Sequence, residues 1–264
     1  MSVNKKALTL HRVQYHLRVR PGDVGKYVLL PGDPWRVPLM AEYLDGAKEV
    51  AHNREYLTYT GFHRGIKISI TSTGIGGPST AIAIEELANV GAEVFIRVGS
   101  TGALQEHIEI GDLVIATGAV RNESTSRWYV PEVFPAVPNF EVTRALIEAA
   151  TELKTKLQFK FHIGIISTDD AFYAETPEFI EDHKKLGVLS LDMESSVIFL
   201  ISHLRKLRSG SILAVSGNLA TGNVIYEEEN PKLKEGWKKE TQVALLAIEK
   251  LEKEISVKNT NYHV

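Results

Sequence analysis

The chain has 264 residues, 44% of them hydrophobic, which is enough for one large core. Its 30 basic and 33 acidic residues leave a formal charge of −3, so there is no bulk attraction to nucleic acid or an anionic membrane, and any anion site has to be local. With no cysteine, disulfides, thiolate catalysis and cysteine-bound metals are excluded, in keeping with a cytoplasmic location. The first thirty residues scatter Lys5, Lys6, His11, Arg12, His16, Arg18 and Arg20 among apolar ones, and so form no secretory signal. The best apolar run, Ser196 to Leu204, is too short to cross a bilayer. Without a linker or repeat, the chain reads as one soluble domain over 1–264, with a polar, unordered tail from about residue 258.

Taken in chain order, a short apolar strand at 27–31 ends in Pro31-Gly32-Asp33-Pro34, and Arg36 follows in the first turn of a helix. Amides at such a turn suit an anion. Strands are expected at 56–60 and 66–72. A helix then opens at Gly77-Pro78, carries an apolar stripe through Ala83, Ile84, Leu87 and Ala88, and stops at Gly91. The strand at 93–98 places Arg97 among Val94, Phe95, Ile96 and Val98. A guanidinium there is costly unless it meets a carboxylate, a phosphate or several acceptors. Ser100 and Thr101 supply hydroxyls, while Gly99 and Gly102 let a ligand come close to the backbone. Further strands are expected near 112–120, 160–168 and 210–216, and helices near 139–153, 177–186, 192–206 and 231–255. This alternation predicts a mostly parallel or mixed sheet covered by helices.

Several segments together carry a family resemblance. They are Pro31-Gly32-Asp33-Pro34-Trp35-Arg36, His52-Asn53-Arg54-Glu55, Ser72-Thr73-Gly74-Ile75-Gly76-Gly77-Pro78-Ser79, Arg97 to Ala103, and Leu191-Asp192-Met193-Glu194-Ser195. Their order resembles that of the nucleoside phosphorylase family. Gln105 to Asp112 and Glu132 to Glu141 resemble the uridine phosphorylase branch in particular. The likeness runs from about His16 to the last helix. It implies a three-layer α/β/α fold around a twisted central mixed sheet, and a homo-oligomer, either a hexamer built from dimers that share active sites or a dimer.

The resemblance assigns phosphate binding to Gly32, Arg36, Arg97 and Ser100, with Arg54 reaching over from a neighbouring subunit. It assigns ribose to Met193 and Glu194, with His16 supplied by a neighbour. A glutamate at the start of an apolar helix can accept both ribose hydroxyls at once, although an ion-paired glutamate is the plainer reading. Asp192 stands where the family pattern has a glutamate, one methylene longer. Glu55 and Ser79 match positions that hold a monovalent cation between subunits in some members, and a Glu–Arg pair fits equally well. No cofactor is implied, inorganic phosphate being a co-substrate. The nine histidines form no pattern of metal-ligand type.

At the base pocket the pattern departs from the branch. Phe172-Tyr173 is followed by Ala174-Glu175-Thr176, without the glutamine and arginine that read uracil, and the later strand ends Ser216-Gly217-Asn218. The Asp170 to Glu175 run resembles archaeal purine and methylthioadenosine phosphorylases, yet Gly217 stands where purine enzymes place an aspartate. Thr101, Gly102, Phe172, Gly217 and Asn218 are the expected base-binding residues. Phosphorolysis of uridine is the leading expectation and of a purine nucleoside or methylthioadenosine the alternative. Hydrolysis by water and nucleoside binding without turnover are further readings. Arg97→Ala is expected to lower turnover and leave the fold intact.

Overall fold

The computed structural model describes residues 12–224 and 230–261. Its ten strands are β1 (Tyr27–Leu30), β2 (Asp45–Asn53), β3 (Tyr56–His63), β4 (Ile66–Thr71), β5 (Val94–Ala103), β6 (Leu113–Asn122), β7 (Phe161–Asp169), β8 (Ser190–Asp192), β9 (Arg208–Asn218) and β10 (Asn223–Val224). Its six helices are α1 (Arg36–Ala41), α2 (Gly77–Asn89), α3 (Phe140–Leu157), α4 (Pro177–Lys185), α5 (Ser195–Leu204) and α6 (Pro231–Asn261). The sheet order is β10-β9-β6-β7-β8-β5-β1-β4-β3-β2, and β9 also pairs with β5. Strands β5, β8, β7, β6 and β9 therefore close into a ring, with β1, β4, β3 and β2 extending from it. Pairings are mixed: β5 runs parallel to β1 and β9 and antiparallel to β8.

Period-two alternation within the strands builds two cores, one on each face. Tyr27, Leu29, Val94, Ile96, Leu113, Ile115 and Ile212 pack with α1, α3 and α6. Val28, Leu30, Phe95, Val114, Leu213 and Val215 pack with α2 and α5. The expected three layers result from this division. A smaller cluster joins Leu104, Val188 and Leu191 to Phe179 and Ile180 of α4.

Every expected strand and helix is present, with shifted ends. Three strands were not expected from the sequence, namely β2, β8 and β10. β2 is an edge strand of mostly exposed or half-buried residues with two irregularities of register, so it lacks a buried apolar face. β8 has only three residues and occupies the start of the region expected to be helical from 192. Helix α5 begins at Ser195 because Glu194 adopts φ −139°, outside the helical range. At the other end of the chain, α6 continues to Asn261, through positions 258–261 that read as tail.

Candidate active site

The C-terminal ends of β1, β4 and β5 meet at one mouth, where ligand sites of open α/β sheets gather. The loops after β1 and β4 are zipped together: the Thr73 and Gly74 amides donate to the Pro31 and Gly32 carbonyls, each at 2.9 Å. Leu30 pairs with Arg97 in the sheet register, which brings the Gly32 turn and the end of β5 side by side. They line a cavity of about 680 Å³.

Arg97 points to the same face of β5 as Phe95 and Gly99, following the strand period. A Cβ at Gly99 would lie 2.7 Å from the Arg97 guanidinium carbon, so only glycine leaves the guanidinium room to fold back along the strand. Arg36, at the first residue of α1, approaches from the other side. A Cβ at Gly32 would sit 3.5 Å from Arg36 Nη2 and 3.6 Å from Arg97 Nη1, so Gly32 lies between two guanidinium groups. Ser100 is on the opposite face of β5, where its hydroxyl accepts from Trp237 Nε1 at 2.9 Å and from Arg36 Nη1 at 3.4 Å. The Arg36 guanidinium lies 5.1 Å from the centre of the Trp237 ring, in cation–π contact.

Arg97 is paired with two carboxylates. Its Nη2 donates to Glu194 Oε2, and its Nε lies 3.4 Å from Asp192 Oδ2. Glu194 Oε1 also accepts from the Gly76 amide at 2.7 Å, where Gly76 takes φ +88° just before α2. Burial pushes the Glu194 carboxyl up even beside Arg97. Burial works against the Arg97 charge, but Glu194 and Asp192 outweigh it and raise Arg97 above its ordinary value. Arg36 moves the opposite way: burial lowers it, and its Nε has no hydrogen-bond partner.

Two residues of α6 that were not picked out in the sequence underlie this pair: Trp237 and Glu240. Glu240 is fully buried. The Gly99 and Ala214 amides face it, but neither carboxylate oxygen has a well-formed hydrogen bond. Burial pushes its carboxyl well above the ordinary 4.5, against the pull of Arg36 and Arg97. The folded state therefore holds a proton that the unfolded chain releases from about pH 4.5 upward, and stability falls as pH rises from there. Glu240→Gln removes that loss. Thermal unfolding is expected to show the variant more stable than the parent at pH 8, by about 1 kcal/mol or more (roughly 2–4 °C), with the gap closing toward pH 4.5. A variant less stable at pH 8 than at pH 5, relative to the parent, would mean that Glu240 is ionised and pairs with the arginines.

The cavity also brings together Gly32, Arg36, Arg97, Ser100, Thr101, Gly102, Phe172, Asp192, Met193, Glu194 and Gly217, all expected from the sequence. Some of these are already engaged by the chain itself. Thr101 donates its hydroxyl to the Leu191 carbonyl at 2.6 Å. Asp192 accepts from Thr168 Oγ1 at 2.8 Å and from the Ser195 amide and hydroxyl at 3.0 and 2.6 Å, so it ties down the first residue of α5 as well as holding Arg97. Glu55 and Ser79 border the cavity as well. A Cβ at Gly74 would touch Glu55 Cγ at 2.7 Å and Ser79 Oγ at 3.2 Å, so the two flank that glycine.

Asn218 corrects the sequence reading. It does not line the cavity: its amide donates to the Gln105 and Ile108 carbonyls and accepts from the Thr221 amide, bracketing a loop with both of its donors and its oxygen. His16 and Arg54 also lie outside this chain's cavity. His16 Nδ1 is 2.7 Å from Glu86, and the His16 carbonyl accepts from Asn53, the neighbour of Arg54, at 2.6 Å. Arg54 is exposed, at φ +57° in the turn between β2 and β3. The two residues expected to act on a neighbour's site are thus gathered in one place. Among the described residues, no cluster of three or more His, Cys, Asp or Glu could hold a metal ion, and no helix is long and apolar enough to cross a membrane.

A partly closed mixed sheet thus presents two buried arginines beside a carboxylate, with an apolar aromatic compartment beyond, an arrangement whose chemistry suits an oxyanion next to a hydroxylated ligand. The chain belongs to the phosphorylase superfamily, which matches residues 26–249. It is 50% identical over 222 residues to a uridine phosphorylase of Thermococcus kodakarensis, covering 79% of each chain. It is 40% identical to a guanosine phosphorylase of Halorubrum lacusprofundi, covering 88% of this chain and 95% of the relative. Among solved structures, the uridine phosphorylase of Vibrio fischeri ES114 superposes with a TM-score of 0.82 at 37% identity, covering 90% of this chain and 97% of that one.

Proposed function

We propose that the protein catalyses the phosphorolysis of uridine, giving uracil and ribose 1-phosphate. The observation that carries this reading is the pair Arg36 and Arg97 on either side of Gly32, with Glu194 against Arg97 in the same cavity as Phe172. Phosphate binds at Gly32, Arg36, Arg97 and Ser100. Glu194 accepts the ribose hydroxyls and Met193 packs on the sugar. Thr101, Gly102, Phe172 and Gly217 enclose the base, with Phe172 stacking on its face.

The C1′–N1 bond lengthens first, and its electron pair leaves with the uracil, whose N1 then takes a proton from solvent. The resulting oxocarbenium-like sugar is stabilised by the phosphate dianion beneath it, and a phosphate oxygen then forms the new bond to C1′ on the opposite face. No nucleophilic side chain is needed, and positioning and electrostatics carry the rate.

Charge counting also supports an oligomer. Arg97 is already paired with Asp192 and Glu194, so an arriving dianion calls for a cation beyond Arg36. Arg54 of a neighbouring subunit supplies it, and His16 of that subunit reaches the sugar, in a hexamer of dimers. Glu55 and Ser79 form the place for a monovalent cation between subunits.

A purine nucleoside is the second reading. It is favoured by the absence of a glutamine and arginine after Phe172-Tyr173 and by the likeness to a guanosine phosphorylase. The test is base release from uridine, inosine, guanosine and adenosine, each with and without phosphate, followed by chromatography. Uracil is expected, and only with phosphate. Purine release alone would establish the second reading, and release without phosphate would overturn phosphorolysis.

A further inference from the structure

The base end of the cavity is bordered by Phe172, Glu175, Leu191, Gly217, Leu219 and Val224. Most of this surface is apolar. Such a compartment accepts an aromatic ring but cannot tell one base edge from another without a polar group. The neighbouring candidates are already occupied: Thr101 donates to the Leu191 carbonyl, Ser216 to the Thr101 carbonyl, and Asn218 is bound within its loop. Glu175 remains, half-buried, and no described residue gives it a hydrogen bond or an ion pair.

Its backbone is held from both sides. The turn Phe172–Ala174 precedes it, and Thr176 follows as the cap of α4, its hydroxyl accepting from the Phe179 amide at 3.2 Å. The proposed stacking ring and this carboxyl are thus three residues apart on one short, anchored segment. Burial, with Asp169 nearby, raises the Glu175 carboxyl to about 7. A carboxyl left partly dehydrated and unpaired at a ligand cavity is a group waiting for a hydrogen-bond partner from the ligand.

We propose that Glu175 determines base specificity: its carboxylate accepts the ring N–H of an imide or lactam edge, selecting uracil, hypoxanthine or guanine over cytosine and adenine. The assignment rests on the nucleoside phosphorylase reading and deepens it. With Glu175 ionised, as it is above about pH 7, cytosine and adenine present a bare ring nitrogen at the corresponding edge, which would set lone pair against lone pair.

The test pairs each nucleoside with its N-methyl analogue. With saturating phosphate, kcat/KM is measured for uridine and 3-methyluridine, and for inosine and 1-methylinosine, using the parent, Glu175→Gln and Glu175→Ala. Binding of the same nucleosides is measured by calorimetry. In the parent, uridine is expected to exceed 3-methyluridine by about 100-fold or more. In Glu175→Ala the uridine value falls about 10- to 100-fold while the 3-methyluridine value stays, so the ratio collapses. Glu175→Gln, whose amide oxygen still accepts, keeps part of the ratio, and the KM for phosphate stays within about twofold of the parent.

A parent-like ratio in Glu175→Ala, or a parent that takes cytidine as readily as uridine, would overturn the assignment. The calorimetric ratio tests the same contact in the absence of turnover. A parent that binds uridine over 3-methyluridine through Glu175 but releases no base with phosphate would sink the phosphorylase reading and leave the base contact standing.

Discussion

Arg97→Ala is expected to cost both activity and stability. At fixed phosphate, removing one guanidinium aimed at an oxyanion lowers kcat/KM by about 10²- to 10³-fold, the range found when a single preorganised donor is lost. The second effect comes from the packing. Arg97 is buried against Asp192 and Glu194, which are themselves buried, so truncation leaves two carboxylates without their cation. Breaking a buried pair from one side costs about 3–5 kcal/mol. The structure adds this cost to the sequence-based expectation of an intact fold, since the two acids that surround the arginine come from β8 and the start of α5, nearly a hundred positions along the chain.

A second variant separates the two effects. Arg97→Met with Glu194→Gln removes the guanidinium and one stranded charge together. It is expected to recover much of the lost stability in thermal unfolding while phosphorolysis stays as low as in Arg97→Ala or falls further, because Glu194 also serves the ribose. Recovery of both would take Arg97 and Glu194 together out of the substrate site. Near-normal phosphorolysis by the single variant would remove Arg97 from the phosphate site.

The contrast shows where the sequence was legible. Strands β1 and β5 announce themselves as short apolar runs ending in turn residues, and α2 by its Gly-Pro start and apolar stripe. Arg36 and Arg97 stand out because a charge beside such runs demands a partner. Edge strand β2 has no such pattern, and β8 is too short to have a period. Trp237 and Glu240 were invisible for a different reason. They lie on a 31-residue helix dense in lysine and glutamate, where Lys238-Lys239-Glu240 reads as solvated surface, and only docking against β5 and β9 turns that glutamate inward. Asn218 misled in the opposite direction. Next to Gly217 it looked like a base reader, but local carbonyls and one amide consume its hydrogen bonds.

Glu194→Gln is expected to move the two substrates in opposite directions. In the structure, Oε1 holds the Gly76 amide and Oε2 holds Arg97, so the carboxylate proposed for ribose also competes with phosphate for the same guanidinium. The amide keeps an acceptor for Gly76 but gives up the negative charge. Arg97 remains partnered by Asp192 and is freer to meet an oxyanion. Phosphate is therefore expected to bind about 3- to 10-fold more tightly by calorimetry, a change of about 1 kcal/mol from losing a like-charged competitor. Uridine goes the other way. An amide offers one acceptor where a carboxylate offers two, and charge-assisted bonds to hydroxyls are about twice as strong as neutral ones, so kcat/KM for uridine falls about 100-fold. Because the lost contact is to the ribose hydroxyls, 2′-deoxyuridine should fall less, and the preference for ribose over deoxyribose should shrink. Parallel weakening of phosphate and uridine would show that Glu194 supports Arg97 instead of competing with phosphate for it, and an unchanged ribose preference would take Glu194 out of the sugar site. If the opposed shifts are found, phosphate binding in the parent must release Glu194 from Arg97, and the first substrate then prepares the carboxylate that the second one needs.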